Sequence, residues 1–213
     1  YLRKLFEIYY MDDTPLDPDM EKQVNEKLAA RIEDCDLVIV NDFGHGLIGP
    51  STARLLSEKS KFLAINAQTN SGNFGYNLIT KYNRADFVCI DAPEARLAVF
   101  DKFSDMEEII SAKLPNKLNC NNFIVTQGVA GCVARSKGKM THHIPAFTTN
   151  VVDTVGAGDA FFSIAAPLVA MGADIADAAF VGNTAGALQV GIVGHRKSVE
   201  KVTLIKYLTA LLK

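Results

Sequence analysis

The stretch Asp153-Thr-Val-Gly-Ala-Gly-Asp159 is the most specific pattern in this 213-residue chain. Gly156, Ala157 and Gly158 lie where a loop enters a predicted helix, and small residues there let backbone N–H groups approach an anion. Asp159 falls in the first turn of that helix. A carboxylate there can accept a hydroxyl proton while the amides stabilise charge on a phosphoryl group in transfer. Taken alone, the pattern equally fits an aspartate that caps a helix after a tight glycine turn.

The sequence before this stretch alternates short apolar runs with longer amphipathic segments. Strands are predicted at 36–42, 61–66, 85–90 and 122–126, with a hairpin of two more at 131–135 and 140–144. Helices are predicted at 50–60, 76–82, 93–100, 105–114, 158–170, 175–190 and 199–212. Strands alternating with helices indicate an α/β fold, a three-layer αβα sheet, and we expect residues 1–213 to form a single domain.

Polar residues follow the apolar runs of the predicted sheet. These sets are 41–46, 66–68, 91–94, 126–128 and, at the start of the later helix, 153–159. In α/β sheets ligands bind beyond the carboxyl ends of the strands, so these sets are the first candidates for a site. We expect them to converge on one edge of the sheet.

The composition excludes several classes of protein. Hydrophobic residues make up 48% of the chain, and the formal net charge of −2 provides no basic excess for nucleic acid. The uncharged run 160–173 is too short to span a bilayer, and no signal-peptide pattern is present. Four scattered cysteines without a C-x-x-C pair fit buried thiols in a reducing compartment. We therefore expect a cytoplasmic protein that binds neither nucleic acid nor membranes.

Parts of the sequence partly match other known binding motifs, but the structural context that those motifs require is missing. A Gly-x-Gly pattern at Gly156 and Gly158 has Phe161 in place of the third glycine of a dinucleotide fingerprint, and no apolar strand precedes it. Residues 191–198 imitate a Walker A loop, but the glycine before the lysine is absent and the preceding segment is helical. The four histidines lack the spacing of a zinc site. A nicotinamide-dependent oxidoreductase is therefore the weakest of the alternatives.

Several motifs together resemble the ribokinase, or PfkB-type carbohydrate kinase, family. Asp153–Asp159 followed by Ala-Phe-Phe is similar to the family's C-terminal signature, and Thr126-Gln-Gly-Val-Ala-Gly131 resembles its T-x-G-x-x-G strand end. Its adenine-side helix and the loop that follows resemble residues 185–190, then Gly194 and Ser198-Val199. The match runs in order from about residue 36 to 212. It implies a ribokinase-like fold and an ATP-dependent kinase that phosphorylates a hydroxyl of a sugar or sugar phosphate.

The resemblance also implies roles for individual residues. Asp159 would be the catalytic base, and the amides of Gly156, Ala157 and Gly158 would form the anion hole. Asp91 stands where the family usually has asparagine, which adds negative charge beside the phosphate path. The implied ligand sets are Thr126, Gly128, Gly131 and Asn183 for ATP, Asp91 and Glu94 for phosphate and Mg²⁺, and Asp153, Val155, Gln189, Ile192, Gly194 and Ser198 for a monovalent cation such as K⁺.

Within the family, Asn41-Asp-Phe-Gly-His-Gly46 looks most like the D-Y-G-K-G segment of heptose-7-phosphate kinases. Residues 3–8 look like the segment after their substrate lid. His45 replaces the lysine, however, and Asn66-Ala-Gln68 replaces an Asp-Pro-Lys, so two cations are lost. A heptose phosphate is the acceptor that this resemblance suggests.

The start of the chain suggests a truncated domain. Tyr1 is followed at once by an apolar, aromatic-rich segment, and the family's sugar-binding Gly-Gly-Asp region and β-lid have no counterpart here. We expect the N-terminal part and lid to be missing, with acceptor-binding residues upstream and exposed edges that favour a homodimer. A nucleotide-binding or assembly domain without turnover remains the alternative to a kinase.

Overall fold

A computed structural model of the chain describes residues 5, 6, 8, 10–148, 150–194 and 196–213. Its strands are β1 (Val38–Asp42), β2 (Leu63–Ala67), β3 (Phe87–Asp91), β4 (Asn122–Thr126), β5 (Cys132–Ser136) and β6 (His142–Ile144). Its helices are α1 (Pro18–Ile32), α2 (Pro50–Lys59), α3 (Ala92–Val99), α4 (Met106–Glu108), α5 (Ala157–Ala170), α6 (Ile175–Gln189) and α7 (Lys201–Leu211). A π-helical turn, Ile109–Lys113, continues α4, and 3₁₀ turns cover Ile79–Lys81 and Gly128–Ala130.

The six strands lie side by side in chain order. Strands β1 to β4 are parallel, whereas β5 and β6 are each antiparallel to the preceding strand. In this register Asp91 lies opposite Thr126, and Thr126 lies opposite Cys132. The carboxyl ends of β1 to β4 therefore meet at one edge of the sheet.

Alternation along the strands divides the core between two helical layers. In β2, Leu63 and Ile65 pack with residues of α1 to α4, whereas Ala64 packs with residues of α5 and α6. Phe87 of β3 likewise faces α5, with its ring centroid 6.0 Å from that of Phe162. All five residues of β2 are buried, as expected of a parallel strand covered on both faces. The chain thus has the predicted three-layer αβα fold.

The predicted strands are confirmed to within two residues at each end, as are the last three helices. The helix predicted at 76–82 is wrong, because only the 3₁₀ turn Ile79–Lys81 forms there. Leu78 and Tyr82, on either side of that turn, are extended, so a helix cannot run through 76–82. Within the described residues, no helix is both long and apolar enough to cross a membrane.

Helix α1 was not predicted from hydrophobic periodicity. Ile32 is its one buried residue among the fifteen, so the sequence carries little apolar pattern. The signal for this helix lies at its start. The Asp17 carboxylate accepts hydrogen bonds from the amides of Asp19 and Met20, and Pro18 occupies the first helical position.

Candidate active site

The candidate site lies at the edge of the sheet where β1 to β4 end and α5 begins. Asp42, Asp91 and Thr126 are the last residues of β1, β3 and β4, and Gln68 directly follows β2. The Gln68 side chain reaches the start of α5, where its Nε2 donates a hydrogen bond to Asp159 Oδ1 over 3.1 Å. Two of the predicted polar sets, 91 residues apart in sequence, are therefore in direct contact.

The first turn of α5 presents backbone amides at this edge. Gly156 precedes the helix with φ +76°, a left-handed conformation that glycine adopts without steric cost. The Ala157 amide donates to Thr154 O over 3.3 Å. Among the described residues no acceptor pairs with the amides of Gly158 and Asp159, and open space surrounds the position of a Cβ on Gly158. Unpaired amides of this kind are what an anion binds at a helix N-terminus.

Small residues on α6 allow α5 to approach closely. A Cβ on Gly182 would lie 2.9 Å from the Phe161 ring, and one on Gly186 would lie 3.4 Å from Ala157 O. The same helix carries Asn183, whose Nδ2 donates to Pro145 O over 2.6 Å. Asn183 therefore joins α6 to the segment after β6, and its role toward adenine stays a prediction.

Asp91 and Glu94 form a reciprocal cap at the start of α3. Asp91 Oδ1 accepts from the Glu94 amide over 2.9 Å, and Glu94 Oε2 accepts from the Asp91 amide over 2.9 Å. Glu94 Oε1 also accepts from the Thr69 amide over 2.8 Å, which ties α3 to the segment after β2. Burial, together with the negative charge of Asp91, raises the pKa of Glu94 to about 7. Burial also raises the pKa of Asp91.

The connection between β4 and β5 brings three of the predicted nucleotide residues together. Thr126 is half-buried, whereas Gly128 is exposed with φ +57°. The Gln127 amide donates to Gly131 O over 2.8 Å, which closes the turn. Gly131 has φ +89°, and a Cβ there would lie 2.0 Å from Ile144 O. Glycine is therefore required at Gly131 for packing against β6, whatever it contributes to a ligand.

Five of the six predicted cation ligands are joined by hydrogen bonds. Asp153 Oδ1 accepts from the Val155 amide over 3.1 Å, and its Oδ2 accepts from the Gly194 amide over 2.8 Å. Gln189 Nε2 donates to Gly194 O over 3.2 Å, and the Ile192 amide donates to Gln189 O over 2.9 Å. Ser198 is exposed, and within the described part of the chain no hydrogen bond joins it to this group.

Behind the edge, Asp42 is held in a polar cluster that sequence reasoning missed. Only 3% of Asp42 is exposed, and its Oδ2 accepts from the Tyr82 hydroxyl over 2.7 Å and pairs with Lys81 Nζ. Asn77 Nδ2 donates to Asp42 O over 2.9 Å, and Lys81 Nζ donates to Asn77 Oδ1 over 2.8 Å.

Two further polar groups near this edge are buried without a full set of partners. Asn66 is 7% exposed, and its Nδ2 donates to Cys89 O over 2.8 Å. Within the described residues neither Asn66 Oδ1 nor His45 Nδ1 has a hydrogen-bond partner. Unsatisfied buried acceptors of this kind are uncommon in proteins and suit a bound hydroxyl or water.

The sequence matches a family of known proteins. Residues 58–202 match the profile described as pfkB family carbohydrate kinase. The bifunctional protein HldE of Citrifermentans bemidjiense is 28% identical over 176 residues, which cover 82% of this chain and 36% of that protein. HldE of Shewanella amazonensis is 27% identical over 180 residues, which cover 84% of this chain and 37% of that protein. The chain thus spans little more than a third of the length of these relatives.

Solved structures share the fold at low identity. Ribokinase from Thermotoga maritima superposes with a TM-score of 0.65 at 19% identity, covering 85% of this chain and 59% of that one. Arabidopsis thaliana ribokinase complexed with ribose and ATP gives 0.66 at 17% identity, covering 91% and 60%. Phosphofructokinase-2 from Escherichia coli in complex with potassium gives 0.77 at 13% identity, covering 93% and 64%. These matches establish a ribokinase-like fold.

Proposed function

Since this chain belongs to the pfkB carbohydrate kinase family, we propose that it is the ATP-binding and catalytic portion of a kinase for sugars or sugar phosphates. The observation that carries the proposal is the half-buried Asp159 carboxylate, which Gln68 holds beside the amides of Gly158 and Asp159, two amides that pair with no acceptor in the described part of the chain. A base and an anion site in one helical turn are what phosphoryl transfer to a hydroxyl requires. We propose that residues 1–213 belong to one kinase domain.

In the proposed reaction, Asp159 accepts the proton of the acceptor hydroxyl. The hydroxyl oxygen then forms a bond to the γ-phosphorus of ATP, while the bond from that phosphorus to the β–γ bridging oxygen breaks and ADP leaves. The amides of Gly156, Ala157 and Gly158 would stabilise charge on the transferred group. Asp159 Oδ1 already accepts from Gln68, so Oδ2 is the atom placed to receive the proton.

The other predicted ligands fit ATP and its cations. Thr126, Gly128 and Gly131 would contact the nucleotide along the β4–β5 turn, and Asn183 would contact the adenine. Carboxylate oxygens are the ligands that Mg²⁺ prefers, and Asp91 carries its carboxylate at the carboxyl end of β3, on this edge of the sheet. Glu94 would hold Asp91 in place and act on a magnesium-bound water. When bound, the ion would neutralise charge on the phosphates.

A monovalent cation would bind beside the anion hole. Asp153, Val155 and Gly194 already lie together, with Gln189 joined to Gly194, so carbonyl and carboxylate oxygens are close to the start of α5. Ile192 and Ser198 would complete the set. Assays with K⁺, Na⁺ or tetramethylammonium as the sole monovalent cation test this role.

We propose a heptose phosphate as the acceptor, which the resemblance of residues 41–46 suggests. The proposal also includes a cytoplasmic location, where ATP is available, and a homodimer across the edge strand β1. Ile39 on that strand is 40% exposed, and an exposed edge strand favours association. Sedimentation velocity tests the dimer, and cell fractionation tests the location.

The test of this function is Asp159→Asn in the intact protein, assayed for ADP release with a panel of sugars and sugar phosphates. The variant keeps the size and the hydrogen-bonding capacity of the side chain but removes the base. We expect kcat to fall at least about 100-fold, with little change in KM for ATP.

The matched control is Asp177→Asn. Asp177 is the third residue of α6, as Asp159 is of α5, but it is exposed and lies outside the proposed site. We expect it to retain wild-type kcat. An Asp159→Asn rate equal to wild type would show that Asp159 is not the base. Calorimetric binding of ATP and Mg²⁺ without turnover of any acceptor would favour a nucleotide-binding or assembly domain.

A further inference from the structure

The contact between Gln68 and Asp159 joins two parts of the chain that share no local sequence signal. Gln68 Nε2 donates to Asp159 Oδ1, and among the described residues Asp159 Oδ2 accepts no hydrogen bond. One hydrogen bond of this kind fixes the plane of a carboxylate that could otherwise rotate about its Cβ–Cγ bond. The oxygen that faces the proposed acceptor is thereby set by Gln68.

The backbone of Gln68 is itself held on both sides. Its amide donates to Asp42 O over 2.8 Å, which continues the β1–β2 ladder by one residue. Its carbonyl accepts from Asn77 Nδ2 over 3.1 Å, and the same Nδ2 donates to Asp42 O over 2.9 Å. A single buried amide group thus bridges the ends of β1 and β2 immediately beside Gln68.

Asn77 is fixed in turn by the buried cluster around Asp42. Lys81 Nζ donates to Asn77 Oδ1 and pairs with Asp42, whose carboxylate also accepts from the Tyr82 hydroxyl and the Gly44 amide. Asn77 is 4% exposed and Tyr82 is 1% exposed, so both are closed to solvent, and Lys81 is the member that reaches it. A hydrogen-bonded ion pair in such surroundings has few alternative arrangements.

We propose that Gln68 is a positioning residue for Asp159, and that Asn77 and the Asp42 cluster fix Gln68 in the orientation that does so. This inference rests on the proposed kinase function. It assigns a catalytic purpose to residues 77–82, which do not reach the site, and it explains why a buried polar cluster lies directly behind the carboxyl ends of β1 and β2.

The first arm of the test measures turnover in the intact protein. Gln68→Met keeps the length of the side chain but has no donor, and we expect kcat to fall on the order of 10- to 100-fold, with KM for ATP unchanged within about twofold. Gln68→Lys retains an N–H donor of similar reach and should stay within about fivefold of wild type. Gln23→Met, an exposed substitution on α1, is the control and should match wild type.

Asn77→Ala tests the residue that holds the backbone of Gln68. We expect its effect on kcat to be largely absent in a Gln68→Met background, because both substitutions would break the same chain of contacts. Additive effects, a Gln68→Met enzyme with wild-type kcat, or a Gln68→Lys enzyme as slow as Gln68→Met would each overturn the proposal.

The second arm needs no turnover. In intact protein labelled with ¹⁵N-glutamine, the Gln68 side-chain amide resonance should shift on Asp159→Ala and remain in place on Asp177→Ala. An unchanged Gln68 resonance in Asp159→Ala would show that the contact is absent in solution and would overturn the inference. If wild-type protein phosphorylates no acceptor while the resonance still responds, the proposed kinase function fails and the structural link from Gln68 to Asp159 is supported.

Discussion

At the scale of single residues, the ion pair with Lys81 stabilises the buried carboxylate of Asp42. The exposed fractions of the Lys81 and Asp42 side chains are 25% and 3%, so Lys81→Met would leave a buried carboxylate without its cation. Removing one partner of a buried ion pair costs about 3–5 kcal/mol, and the remaining hydrogen bonds from the Tyr82 hydroxyl and the Gly44 amide offset only part of this. We expect Lys81→Met to lower the free energy of unfolding by about 3 kcal/mol in urea titrations.

Lys61→Met is the matched control for this substitution. Lys61 pairs with Asp36 over 3.3 Å, but the two side chains are 55% and 98% exposed. Surface pairs of this kind contribute roughly 0–1 kcal/mol, so the control should lie close to wild type. Equal losses in the two variants would show that Asp42 is not buried as described.

Sequence reasoning reached some of these residues and not others, for a physical reason. Gly156 and Asp159 could be placed at a helix start because a glycine turn and a first-turn acid leave a local pattern. Gln68 and Asn77 could not be paired with their partners, since their contacts join residues far apart in sequence and depend on the register of β1 and β2. Spacing along the chain carries no information about such contacts.

At the scale of elements, Gly131 determines how the β4–β5 connection meets β6. Its φ of +89° and the 2.0 Å approach of a Cβ to Ile144 O combine backbone strain with a clash against backbone. Gly138, in the β5–β6 turn, has φ +76° but nothing within 4 Å of its Cβ position. We expect Gly131→Ala to cost at least about 3 kcal/mol and Gly138→Ala about 1 kcal/mol in chemical denaturation.

This pair separates strain from packing, because both glycines share the positive φ. Similar losses at the two positions would mean that β6 does not pack against Gly131 as closely as described. A large loss at Gly131 alone would also show that this glycine is required for the fold. Its presence in the T-x-G-x-x-G segment would then not by itself indicate a nucleotide ligand.

Helices and strands could be predicted from the sequence where their apolar residues recur with a clear periodicity. The buried strands β2, β3 and β4 stand out as short apolar runs, and α5 and α6 as long ones. Helix α1 carries one buried residue, and its cap at Asp17 is the only clear signal, so pattern alone misses it. For the segment 76–82, the apolar pattern wrongly predicts a helix. Its apolar residues belong to a short 3₁₀ turn, beside which Asn77 donates a hydrogen bond to Gln68 O.

At the scale of the whole molecule, the two faces of the sheet serve different purposes. The α5 and α6 layer carries the proposed base and anion hole, and the α1 to α4 layer holds the strand ends in register behind them. Gln68 ties the end of β2 to α5 through Asp159, and Glu94 ties α3 to the segment after β2 through the Thr69 amide. A change at either side chain should therefore be felt in global stability as well as at the site.

The pH dependence of global stability tests this role for Glu94. Its pKa in the folded protein is about 7, above the ordinary value of 4.5, so the folded state binds this proton more tightly than the unfolded state. The resulting stabilisation is fully present below about pH 4.5 and is lost as the pH rises through 7. Glu94→Gln removes the titrating group. Between pH 4.5 and 8, we expect the wild-type free energy of unfolding to fall relative to this variant by on the order of 3 kcal/mol.

Urea titrations of wild type and Glu94→Gln at a series of pH values measure this difference directly, because other titrating groups are common to both proteins. Glu58→Gln is the control, since Glu58 is exposed on α2 and should follow wild type at every pH. A constant difference between wild type and Glu94→Gln from pH 4.5 to 8 would contradict a buried Glu94.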